Sequence, residues 1–76
     1  MEQIKDNERE DLRKKIGLLI EQAREARGWT RYELSKRSGI GEAHLMRIEQ
    51  GLYSIRIDVL NKICKALNLH IDFPRD

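Results

Sequence analysis

Apolar residues recur along most of this chain at spacings of three and four, the period of an amphipathic helix, and glycines fall where the period breaks. From about Asp11 to Arg27 the stripe is Leu12, Ile16, Leu19, Ile20 and Ala23, which predicts a first helix ended by Gly28. From Thr30 to Gly51 the sequence TRYELSKRSGIGEAHLMRIEQG predicts two short helices joined by a tight turn. Thr30 and Glu33 have the spacing of a capping box. Trp29 before the cap and Leu34 inside the helix have the spacing of a hydrophobic staple. That helix is expected to stop at Ser38-Gly39, because glycine takes the left-handed conformation at little steric cost. Ile40 and Leu45 repeat the staple for the next helix. Its cap, Gly41, offers no side-chain acceptor, and Gly51 closes it. After the connector Leu52-Tyr53-Ser54-Ile55, a fourth helix runs from about Arg56 or Ile57 to Leu67 and buries Leu60, Ile63, Cys64 and Leu67. Asn68 to Phe73 then alternates apolar and polar, as a short strand or an extended segment would.

The inward set of the central pair is Leu34 and small Ser35 on the first helix, Ile40 in the turn, and Leu45 and Ile48 on the second. Two helices at a steep angle about a short glycine-containing turn form a helix-turn-helix unit. Counted from Arg31, Gly39 is ninth, and the apolar residues are fourth, tenth, fifteenth and eighteenth. In this register the stretch resembles the helix-turn-helix of the phage-repressor (Cro-like, xenobiotic-response-element) family of DNA-binding proteins. The resemblance covers roughly residues 16–69. It implies an all-α, lambda-repressor-like domain of four compact helices, with the C-terminal stretch as a possible extended addition.

At 76 residues the chain is long enough for one small domain. An acidic leader at 1–11 is read as frayed or as a helical extension, and 12–76 as the helix-turn-helix domain. The formal net charge of +2 hides an asymmetry. Residues 1–12 carry Lys5 and Arg9 against Glu2, Asp6, Glu8, Glu10 and Asp11, a net of −3, which leaves +5 on the remainder. A basic body suits a polyanionic partner, although the same charges also suit an ordinary solvated surface. A single cysteine forms no internal disulfide. With no signal-peptide or membrane-span pattern, the expectation is a cytoplasmic protein with no membrane association. Cys64 reads as core and not as a reactive thiol.

Catalysis finds no support in the sequence: there is no nucleophile–base–orienter set, no Gly-rich phosphate loop and no paired carboxylates, so no enzyme and no cofactor are expected. His44 has no second metal-ligating neighbour, so no metal site is expected either. The second helix of such a unit enters the major groove of DNA. The resemblance places Glu42, Ala43 and Arg47 at base-contact positions on the helix at about 41–50. Arg47 can give two hydrogen bonds to guanine, Glu42 can accept from cytosine N4, and Ala43 can meet a thymine methyl. Phosphate contacts are expected from Arg31, where the family often has glutamine, and from His44, Tyr32, Tyr53 and Arg56. The resemblance also pairs Arg24 with Glu49, tying the first helix to the third. Double-stranded DNA is therefore the expected partner and a homodimeric repressor the expected form. An antitoxin-like module that binds a toxin-like protein is the alternative. Leu18 and Leu19, where the family is more often polar, either pack on the leader or tail or belong to a dimer surface.

Overall fold

The computed structural model describes residues 6–70, and within them the chain forms four helices and no strand. They are α1 (Asp6–Ala26), α2 (Arg31–Ser38), α3 (Glu42–Glu49) and α4 (Ile57–Leu67). The fold is the all-α, lambda-repressor-like arrangement that the resemblance implied. Residues 1–5 of the leader and 71–76 of the tail lie outside the described part. So does the question of a strand or an extended segment at Ile71 to Phe73.

The core is one cluster with a contribution from every helix. Leu34, Leu45, Ile63 and Leu67 are fully buried, and Ile20, Ile40 and Ile48 are nearly so. Trp29, Ile16, Ala23, Ile55, Val59 and Leu60 pack against this cluster from its edges. Burying one such aliphatic side chain contributes about 1.5–3 kcal/mol, a large amount beside the small net stability left once chain entropy is opposed. α1 packs on α3 and α4, and α2 packs on α3 and α4.

α1 begins at Asp6, several residues before the apolar period does, so residues 6–11 of the acidic stretch are helical. Its buried face also differs from the stripe read in sequence. Gly17, Ile20 and Arg24 are buried, while Leu12 is exposed and Leu19 is 62% exposed. The reason is which side of α1 rests on α3. Residues 7–12 are exposed, and the face that meets α3 is set by Gly17 and Arg24. A Cβ at Gly17 would run into the backbone of Ile48 and Glu49, with Glu49 O at 2.6 Å. Glycine at 17 is therefore what lets α1 lie directly on the last turn of α3.

The helix ends follow the local chemistry of their residues. Thr30 Oγ1 accepts from the Glu33 N–H at 3.1 Å, and the Thr30 N–H reaches Glu33 Oε1 at 3.5 Å, which completes the capping box. Gly39, at φ 78°, ends α2 and donates its N–H to Ser35 O at 2.8 Å. Gln50 caps α3. Beyond it the Gly51 N–H donates to Ile48 O at 3.0 Å and the Leu52 N–H to Arg47 O at 2.9 Å, a Schellman closure. Arg27 fastens the far end of α1 to α4 by donating to the carbonyl of Leu67, an anchor the apolar period could not reveal.

Candidate nucleic-acid interface

α3 has two faces with different work. Leu45, Ile48 and Glu49 point inward, whereas Glu42, Ala43, His44, Met46 and Arg47 are exposed. The exposed set is the face on which sequence reasoning placed the base contacts Glu42, Ala43 and Arg47. Gly41 caps the helix without a side-chain hydrogen bond, so the cap residue itself supplies no acceptor to the first N–H groups of α3.

Tyr53, in the connector after α3, gathers two of these residues. Its ring lies edge-on to His44 with centroids 5.9 Å apart, and the Arg47 guanidinium sits 5.7 Å from its centre. Sequence reading had Tyr53 only as a phosphate contact and missed this grouping. The one signal for it was an aromatic residue just after the glycine that ends the helix. Tyr32, on the exposed side of α2, carries the Lys36 ammonium 4.9 Å from its ring centre. Arg56 precedes α4 and lies 3.6 Å from Asp58, both largely exposed, so it is partly neutralised within the chain.

Behind the exposed face a buried ionic cluster joins three helices. Arg24 of α1 donates from Nε to Glu49 Oε2 at 2.8 Å and from Nη2 to Glu49 Oε1 at 3.1 Å. Its Nη1 donates to Trp29 O at 2.7 Å, so α1 also holds the residue before the α2 cap. The Glu49 carboxylate beside it pushes the Arg24 guanidinium's pKa above its ordinary value. Arg31, at the start of α2, donates from Nε to Glu49 Oε1 at 2.8 Å and lies 3.8 Å from Glu21. Neither the Arg31–Glu49 bond nor Glu21 was anticipated from the sequence. The Glu49 side chain is fully buried, but that of Arg31 is 36% exposed. Arg31 and Tyr32 line one shallow recess with Glu42, Ala43 and Met46, so the start of α2 and the first half of α3 open onto the same concavity.

This arrangement of a presented α3, a preceding α2 and a glycine turn is matched by a helix-turn-helix family model over residues 20–73, well over half the chain. The chain belongs to the helix-turn-helix family, of the phage-repressor (Cro/C1) type. No curated protein and no solved structure matches it. The family is a DNA-binding, regulatory one, which makes this a DNA-binding helix-turn-helix domain. No helix among the described residues is long and apolar enough to cross a membrane. Among those residues, too, no group of His, Cys, Asp and Glu is placed to share a metal ion.

Proposed function

We propose that this helix-turn-helix protein is a cytoplasmic, sequence-specific transcriptional repressor that reads the major groove with α3. The observation that carries this reading is the division of α3, with Glu42, Ala43 and Arg47 exposed and Leu45, Ile48 and Glu49 held in the core. Arg47 is assigned to guanine, Glu42 to cytosine N4 and Ala43 to a thymine methyl. Arg31, Tyr32, His44, Tyr53 and Arg56 are assigned to the phosphate backbone, where they set register without reading sequence.

The protein acts as a homodimer on two half-sites about one helical turn apart, since a single module of this size buries too little DNA surface for tight binding. Leu18 and Leu19, both at least half exposed on α1, supply apolar surface for the second copy. The same leucines favour the alternative, docking on a toxin-like protein partner. Selection from a random duplex library, followed by a salt titration on the winning sequence, separates the two. An inverted repeat whose affinity falls steeply with salt is the outcome expected of a dimeric operator-binding repressor. Weak binding to every duplex, with no enriched motif, would transfer the assignment to the protein partner.

A further inference from the structure

Glu49 holds more donors than a simple tie between α1 and α3 requires. Arg24 alone supplies two hydrogen bonds, one to each carboxylate oxygen, and cancels its charge. Arg31 adds a third donor to Oε1. Two guanidinium groups around one buried carboxylate leave an excess positive charge. It resides on the more exposed partner, Arg31, moderated by a half-buried Glu21 at 3.8 Å. The Arg31 Nε–H is occupied, yet among the described residues the terminal nitrogens have no approach shorter than that 3.8 Å. Five N–H donors in a planar fork allow one edge to be held by protein while the other stays free for a second anion. Arg31 also lines the recess shared with Glu42, Ala43 and Met46 on the reading helix.

We propose that Glu49 is a positioning residue for DNA docking: it grips Arg31 by Nε, so that the terminal edge of the guanidinium meets a backbone phosphate at a fixed offset from the base-reading face of α3. The inference rests on the DNA-binding reading above and adds to it a physical link. Glu49 lies on the same short helix as Arg47 but on its buried side, so the phosphate grip and the base contacts are set by one carboxylate. Lysine at 31 would keep the charge but lose this link, because a single ammonium lacks the fork.

The test measures affinity against salt, for the selected duplex and for a scrambled one, with the wild-type protein, Arg31→Ala, Arg31→Lys, Glu49→Gln and the Arg31→Ala/Glu49→Gln pair. Thermal melts identify a temperature at which each variant is folded. Arg31→Ala is expected to weaken both duplexes by a similar factor and to lower the log–log salt slope by about 0.9 per subunit, the release from one phosphate. Arg31→Lys should keep most of the slope and still lose several-fold in affinity. Glu49→Gln should weaken binding several-fold in the wild-type background and clearly less in Arg31→Ala. An Arg31→Ala protein that melts lower but binds with unchanged slope would make Arg31 a structural strut and overturn the proposal. So would a lysine variant equal to wild type, or a Glu49→Gln effect of the same size in both backgrounds. Wild-type protein without salt-dependent duplex binding would overturn the DNA-binding reading itself, a result distinct from the other three.

Discussion

Gly17→Ala sets two physical arguments against each other with opposite signs. Helix propensity alone favours alanine over glycine inside a helix by about 1 kcal/mol. The packing of α1 on α3 opposes it, since the new methyl would sit 2.6 Å from Glu49 O and against Ile48 O as well. Those oxygens belong to the last turn of α3, which its Schellman closure at Gly51 and Leu52 holds in place. The flexible end of a side chain could move aside, but this backbone cannot. α1 must then withdraw, which loosens Ile20 against Ile48 and stretches the Arg24–Glu49 hydrogen bonds. Overpacking of this kind costs about 1–3 kcal/mol. With a backbone obstacle and a strained buried ion pair, the upper end of that range applies. After the propensity gain the net loss is about 2 kcal/mol. At about 4–8 °C for each kcal/mol in a domain this small, Tm should fall by about 8–16 °C. Circular dichroism at the helical band gives the answer directly. A Gly17→Ala protein that melts at or above the wild-type temperature would refute the argument that glycine at 17 exists for this close approach.

Other outcomes follow from the same contacts. Glu49→Ala leaves Arg24 nearly buried without its counter-charge, and should cost about 3–5 kcal/mol in denaturant unfolding. Against the roughly 4–11 kcal/mol available to a chain of this length, that brings it close to unfolding. Leu45→Ala, at a fully buried position on α3, should cost about 2–5 kcal/mol by the same measurement. Thr30→Ala removes half of the capping box and should cost about 1 kcal/mol, visible as faster amide exchange in the first turn of α2. Burial pushes the Cys64 thiol up from its ordinary range. Iodoacetamide should therefore label it slowly in the folded protein and quickly in urea. Because the folded pKa is the higher one, the neutral thiol's contribution to stability is complete below the unfolded pKa and is lost as pH rises through the folded one. The fall in Tm at alkaline pH should thus be smaller in Cys64→Ala than in the wild type.

The helix-turn-helix was legible in the sequence because its boundaries are written in local chemistry. Thr30, Glu33, Gly39 and Gly51 act within a few residues of themselves, and local rules suffice to place them. The outward face of α3 was legible for a similar reason, since Leu45 and Ile48 fix its phase. α1 was less so. A three-and-four stripe counted Leu12 and Leu19 as inward, but the face is chosen by what α1 lies on, and that contact needs Gly17 and Arg24. Gly17, in the middle of an otherwise strong helix, is the one local signal of that close approach. The bond from Arg31 to Glu49 was hidden for a different reason. It joins residues eighteen positions apart on separate helices, and nothing in the sequence of either fixes the distance between them. Tyr53 escaped in the same way, being drawn to His44 and Arg47 only once the connector after α3 turns back.

In the proposed function α3 reads sequence and Arg47 is its main reader. Parallel selections from one random duplex library, with the wild-type protein and with Arg47→Ala, test this most directly. The Arg47 side chain is exposed and meets the also exposed Tyr53 ring, so the variant should melt close to the wild type. The wild type should enrich a motif containing a guanine, and the variant should lose preference at that base at a cost of about 1–3 kcal/mol while keeping its non-specific, salt-dependent binding. A variant that recovers the same motif with the same base preferences would contradict the placement of α3 as the reading helix.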